Sequence, residues 1–214
     1  MELFHSIHQL IFPERCISCK QLGNSLCQQC RRSWKLQNFT TTIGSNPQLL
    51  VISSIPYSEI AGRVILAAKE SHLKSADILV ADAISYSLAQ WLKTEWVDTL
   101  IPIPSRKSAV RKRGRQFIDE ITKIVAASAG ITTASPLQHT RQVRDQSGLK
   151  FEQRWNNVEG ALVVMGKPDE LGRVLLVDDL VTTGATLNEA ARALRYAGIE
   201  VIGAVTAAIA QTVR

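Results

Sequence analysis

No apolar run in this sequence is long enough to span a bilayer, and no cysteine occurs after Cys30. The first absence argues against a transmembrane helix, and the second leaves most of the chain without a possible cross-link. From Met1 to Arg15 the apolar positions are interrupted by His5 and His8 and no small-residue cleavage site follows, so export is not expected and a cytoplasmic location is. Neither G-x-x-x-x-G-K nor G-x-G-x-x-G occurs, which argues against the Walker and dinucleotide phosphate loops. Internal repeats and low-complexity tracts are also missing, so a solenoid is not expected. Acid is in short supply: 19 Asp and Glu against 25 Lys and Arg leave a net charge of +6, which points to an anionic partner.

The cysteines that are present stand close together as Cys16, Cys19, Cys27 and Cys30, a C-x2-C-x7-C-x2-C spacing. Each C-x2-C turn sets two thiolates on one side of a tight loop, and two such turns complete a tetrahedral shell with no open position. A structural Zn2+ is the expected occupant, with Gly23 and Asn24 supplying the turn between the pairs. Two disulfides or an iron-sulfur cluster are the competing readings, and disulfides would need an oxidising compartment. Upstream, Leu3, Phe4, Ile7, Leu10 and Ile11 recur at helical spacing, predicting a short amphipathic helix over 2–11 that Pro13 ends.

The richest segment is Val174 to Thr186, VLLVDDLVTTGAT. Val174 to Val177 suits a strand buried on both faces of a parallel sheet, and Asp178 and Asp179 follow where that strand is expected to run out. Adjacent carboxylates there can accept hydrogen bonds from vicinal hydroxyls. Thr182, Thr183, Gly184, Ala185 and Thr186 then lead into a helix expected over 187–196. Its N-terminal N–H groups, the hydroxyls and the unhindered glycine favour a phosphate. Either half alone reads as a strand end or a helix cap; together they predict a ligand with a sugar and a phosphate.

Elsewhere helix and strand patterns alternate. Strands are expected over 49–53, 99–103, 162–165 and 201–206, and helices over 60–69, 76–96 and 110–128. Short apolar strands between helices predict an α/β fold with a mostly parallel sheet. The polar stretch Asn38 to Pro47 is the expected seam between a zinc module over 1–45, too small to hold a core unaided, and an α/β domain over 46–214. Between Arg106 and Arg115 lie six basic residues, Arg106, Lys107, Arg111, Lys112, Arg113 and Arg115, directly after the strand that ends near Pro102 and Pro104. Such density at a strand's carboxyl end implies an anion, either pyrophosphate, favoured for Ser105, Arg106 and Lys107, or a nucleic acid or protein surface, favoured for Arg111, Lys112, Arg113 and Arg115. Arg115 could instead pair with Asp119 one helical turn on.

The pattern of four hydrophobic residues, two acids, two variable positions and a hydroxyl-glycine loop resembles the phosphoribosyl pyrophosphate motif of type I phosphoribosyltransferases. The order of the four-cysteine element, Ile101-Pro102-Ile103-Pro104, Arg111 to Gly114, the stretch with Thr140, Arg141, Gln146, Leu149, Arg154 and Asn157, and VDDLVTTGAT is similar to the ComF, or GntX-like, family of bacterial competence proteins. The resemblance implies a type I phosphoribosyltransferase sheet behind the zinc module. Asp178 and Asp179 would meet the ribose hydroxyls, Thr182 to Thr186 the 5-phosphate, and Ser105 to Lys107 the pyrophosphate with Mg2+. It further implies a flap over Arg141 to Arg154, a link to DNA uptake, and single-stranded DNA and a competence helicase as partners. Transfer to an unidentified acceptor and a non-catalytic sensor of phosphoribosyl pyrophosphate both remain open. Lys69 resembles a lysine that ends an early helix in that family, with Glu70 in place of the usual aromatic, although a surface lysine would look the same. Replacing Asp178 and Asp179 together is expected to leave the fold intact, and Cys27→Ser to unfold the zinc module alone.

Overall fold

The protein is described here from a computed structural model that covers residues 14–44, 47–140, 160–166 and 170–210. The expected helix over 2–11 and flap over 141–154 lie outside the described residues. In chain order the elements are α1 (Gln28–Arg31), β1 (Phe39–Ile43), β2 (Leu49–Pro56), α2 (Glu59–Ser71), α3 (Lys74–Trp91), β3 (Thr99–Pro102), α4 (Lys107–Arg113), α5 (Phe117–Ala129), β4 (Thr132–Thr133), β5 (Leu137–His139), β6 (Leu162–Val164), β7 (Val174–Val181), α6 (Ala185–Tyr196) and β8 (Val201–Ile209). Six strands form one sheet in the order β1-β2-β8-β7-β3-β4, parallel except for β1, while β5 and β6 form a separate antiparallel pair. The expected mostly parallel α/β architecture is the one observed.

β7 lies centrally because its residues can be buried on either face: Val174 to Val177 are all fully covered. Alternate residues feed two cores. Leu175 and Val177 join the layer containing Val64 and Ala68 of α2, Leu88 of α3 and Phe117 of α5. Val174 and Leu176 join the layer of Leu187, Ala190 and Leu194 from α6. Trp91 closes α3 against β8, where any Cβ at Gly203 would overlap the indole ring. Buried hydroxyls stitch the sheet to α3: Ser53 and Thr206 lie 2.6 Å apart, and Ser87 Oγ donates to the Thr206 carbonyl at 2.9 Å. No helix among the described residues is long and apolar enough to cross a membrane.

Several expected boundaries shift. β7 does not stop before the acids but runs on to Val181, because β8 is long enough to supply ladder partners, with Asp178 opposite Thr206 and Leu180 opposite Ala208. The helix expected over 110–128 is two helices, α4 and α5, since Gly114 adopts φ 72° and ends the first. α3 stops at Trp91. Within the expected polar seam, residues 39–43 form β1, whose Ile43 is buried while its other side chains are exposed or half-buried.

Candidate functional site

The acids of β7 belong to one electrostatic unit with Lys69. Asp179 is buried, and its Oδ2 meets Lys69 Nζ at 2.7 Å across from the last turn of α2. Beyond that ion pair, Asp179 Oδ2 accepts no hydrogen bond from the described residues. The half-buried Asp178 accepts the Asp179 N–H through Oδ1 at 2.9 Å. Burial raises the pKa of both carboxyls, but Lys69 reverses the effect at Asp179, which is held below the usual range. At Asp178 the charge of Asp179 adds to burial and drives its carboxyl well above that range, although Lys69 opposes the rise. Burial favours the neutral amine of Lys69, and the two aspartates outweigh it, raising its pKa. The site therefore sets a carboxyl that holds its proton more tightly than usual beside an ion-paired carboxylate and ammonium.

Past Val181 the chain turns into α6 through Thr182, Thr183 and Gly184. Gly184 caps the helix at φ 75°, and a Cβ there would lie 2.7 Å from Ile43 Cδ1 and Cγ2 on β1. The turn is thus pressed against Ile43 of the edge strand β1, so the backbone itself lines the helix entrance. Thr183 Oγ1 accepts the Ala185 N–H at 3.3 Å, and Thr182, Thr183 and Thr186 are half-buried. The first N–H groups of a helix have no intrahelical acceptor, and they gather here one turn beyond the acids.

Ser105, Arg106 and Lys107 leave the carboxyl end of β3, which pairs in parallel with β7, Pro102 standing opposite Val177. This brings them to the same edge of the sheet as Asp178 and Asp179. Ser105 and Arg106 are half-buried, whereas Lys107 is exposed. Two bonds tie the segment down: Ile103 N–H donates to the Val177 carbonyl at 2.9 Å, and His139 Nε2 lies 3.1 Å from the Pro104 carbonyl oxygen. His139 Nδ1 is buried without a partner among the described residues, and burial lowers the ring's pKa.

The rest of the basic run divides by environment. Arg115 is largely buried and pairs with Asp77 at 2.9 Å and Glu120 at 2.6 Å, rather than with Asp119, which holds Lys123 and Ser135. Arg113 Nε donates to Glu70 Oε1 at 2.6 Å. Arg111 and Lys112 are exposed, with Lys112 3.5 Å from Glu70.

All four cysteine sulfurs lie within 4.8 Å of one another, with Cys19 and Cys27 at 3.6 Å. That separation is far beyond the roughly 2.05 Å of a disulfide and near the sulfur-sulfur spacing implied by Zn–S bonds of about 2.3 Å. Burial raises the Cys16 thiol, but backbone N–H groups outweigh it and bring the thiol down to about 6. Cys30 is pushed up to about 12 by burial and by the neighbouring thiols. Four thiolates cannot coexist there without a cation, and this cluster could hold zinc.

Sequence reasoning singled out neither His139 nor Glu189, which is buried, accepts the Leu162 N–H at 3.0 Å and pairs with Arg192 at 2.7 Å, tying β6 to α6. A single acid among the apolar positions of a helix carries no sequence signal of such a role. The partnership of Glu70 with Arg113, 43 residues apart, was equally hidden.

Residues 109–212 match the family model of the phosphoribosyl transferase domain. The chain is 30% identical to Competence protein F of Haemophilus influenzae over 108 residues, 49% of this chain and 47% of that protein. The match therefore spans about half the length of that curated relative. Among solved structures, the orotate phosphoribosyltransferase of Aeropyrum pernix is 17% identical over 84% of this chain and 78% of its own, with a TM-score of 0.42. The adenine phosphoribosyltransferase of Saccharomyces cerevisiae is 10% identical over 85% and 86%, with a TM-score of 0.43. The family match thus covers residues 109–212, and the likeness to Competence protein F about half of the chain.

Proposed function

We propose that this protein binds phosphoribosyl pyrophosphate with Mg2+ at the carboxyl end of β7, and that it serves DNA uptake as its relative's name, Competence protein F, suggests. The carrying observation is the adjacent acids Asp178 and Asp179, the second ion-paired with Lys69, on a strand that turns at Gly184 into α6 with no room for a side chain beside Ile43. In this reading Asp178 and Asp179 engage the ribose hydroxyls, and Thr182, Thr183, Gly184, Ala185 and Thr186 hold the 5-phosphate. Ser105, Arg106 and Lys107 hold the pyrophosphate. When bound, Mg2+ supplies screening of the pyrophosphate charge. The ionised Asp179 stabilises positive charge that develops on the ring as the bond to pyrophosphate lengthens. The four cysteines hold a structural Zn2+, and elemental analysis of reduced protein should return one zinc per chain.

Calorimetry with phosphoribosyl pyrophosphate and Mg2+ tests the site. Removing a hydrogen bond to a charged acceptor costs about 1.5 to 3 kcal/mol, so Asp179→Asn should weaken binding roughly ten- to hundredfold. Unchanged affinity would overturn the assignment. Pyrophosphate release over candidate bases then separates a transferase from a sensor.

A second reading, a sensor that contacts single-stranded DNA or a competence helicase, is favoured by charge. Arg15, Lys20, Arg31, Arg32 and Lys35 are exposed on the cysteine module, and Arg111 and Lys112 on α4. With Arg113 and Arg115 engaged by acids, neutralising Arg111 and Lys112 should flatten the salt dependence of single-strand binding by a slope of roughly 1.4, two contacts at about 0.7 each. Fluorescence anisotropy across a salt series checks this, and no detectable binding at low salt would overturn it.

A further inference from the structure

The last turn of α2 reaches both halves of the candidate site with two consecutive residues. Lys69 Nζ lies 2.7 Å from Asp179 Oδ2 on β7. Glu70 Oε1 accepts Arg113 Nε at 2.6 Å at the far end of α4, and Glu70 Oε2 lies 3.5 Å from Lys112 Nζ. Neighbouring residues on a helix project about 100° apart, so one side chain can face the sheet while the next faces the adjoining helix. His72, at φ 50°, ends α2 and places its Nε2 2.6 Å from the Arg113 carbonyl oxygen, a second tie to the same residue.

The base from which these side chains reach is fixed. Ser58 caps α2 by accepting the Ala61 N–H, and Ala61, Val64, Ile65 and Ala68 are buried in the core. α4, by contrast, buries none of its residues. It is seven residues long, about 10 Å at 1.5 Å per residue, and its near end continues Ser105 to Lys107. That near end is tied to β7 and His139 through Ile103 and Pro104. Its far end is tied through Arg113. An exposed helix held at both ends cannot tilt, and the residues leading into it inherit its position.

We propose that Lys69 and Glu70 act together as a positioning element, Lys69 aiming the ribose acid Asp179 and Glu70, through Arg113, setting the pyrophosphate segment Ser105–Lys107 at a fixed distance from it. The proposal rests on the phosphoribosyl pyrophosphate reading above. Arg113 outweighs the effect of burial on Glu70 and holds its carboxyl below the ordinary range, so the pair persists at neutral pH.

The two residues are separable by ligand. Calorimetry with Mg2+ would use phosphoribosyl pyrophosphate, inorganic pyrophosphate and ribose 5-phosphate on the wild type, Lys69→Met, Glu70→Gln, Arg113→Gln and the Glu70→Gln/Arg113→Gln double variant. Glu70→Gln and Arg113→Gln should each weaken the two pyrophosphate-bearing ligands by about tenfold while ribose 5-phosphate stays within about twofold, and the double variant should be no weaker than the poorer single one. Lys69→Met should weaken ribose 5-phosphate and phosphoribosyl pyrophosphate alike. A general loosening of the fold would instead lower affinity for every ligand in every variant. The proposal is overturned if Glu70→Gln binds phosphoribosyl pyrophosphate as the wild type does, if it loses ribose 5-phosphate to the same degree, if the single losses add in the double variant, or if Lys69→Met leaves ribose 5-phosphate unaffected. A wild type that binds neither sugar phosphate overturns the functional reading and this inference with it.

Discussion

Asp178 and Asp179 are chemically identical neighbours with opposite consequences for stability. Asp179 has its pKa depressed by Lys69, so it stabilises the fold above the unfolded value of about 3.9 and loses that contribution as pH falls through the folded value. Asp178 has its pKa raised, so it opposes folding above the unfolded value, and the opposition fades as pH falls toward about 4. Asp178→Asn should therefore raise the melting temperature at pH 7 by about 2–4 °C, as a gain of ~1 kcal/mol does in chains of this size, with the gain shrinking near pH 4. Asp179→Asn should lower it, because Lys69 keeps a largely buried charge without its partner, a loss of about 3 kcal/mol or more. Thermal melts at the two pH values check both. The double replacement, expected from sequence to spare the fold, loses this ion pair as well, because Asp179 lies in the interior rather than on an exposed strand end.

Strand β1 and the start of helix α6 approach most closely where Gly184 has no side chain to meet Ile43. Gly184→Ala would need φ 75° from an alanine and would drive a Cβ into Ile43, so both stability and sugar-phosphate affinity should fall. The conformational term alone is about 1–2 kcal/mol, and Ile43→Ala should recover part of the loss beyond it. A second element-scale tie is the Glu189 carboxylate on the Leu162 amide; Glu189→Gln should speed hydrogen exchange at Leu162 while leaving β7 protected, because it frees β6 rather than the central sheet. These contacts also explain what could be read in advance. The strand, acids and turn of 174–186 were legible because contiguous residues carry them. The extension of β7 to Val181 was not, since it depends on β8 supplying partners across the sheet, and two acids interrupt the apolar pattern. The break at Gly114 was hidden within a run whose composition suits a helix throughout. Lys69 could be singled out only by resemblance, since its partner lies on a distant strand.

At the scale of the whole molecule, the cysteine module is continuous with the sheet domain. Cys16, Ile17, Leu26, Cys27, Cys30 and Trp34 are buried in the same apolar cluster as Val64 and Ala68 of α2 and Ile84 of α3. Polar ties follow the same route, with Arg63 Nη1 donating to the Ser18 carbonyl at 2.9 Å and Gln37 N–H to the Ser54 carbonyl at 2.8 Å. Two independent domains would melt in two transitions, and Cys27→Ser would remove only the first. A shared core couples them, because unfolding residues 14–36 would break up the cluster that also holds Val64 and Ala68 of α2, the second of them next to Lys69. We therefore expect differential scanning calorimetry to show one transition in the wild type. In Cys27→Ser, or after zinc removal by a chelator, that single transition should move to lower temperature, since a structural zinc contributes on the order of 10 kcal/mol or more to the unit that binds it. Two resolved transitions in the wild type, with the upper one indifferent to the chelator, would show instead that the shared cluster carries no cooperativity between the module and the sheet.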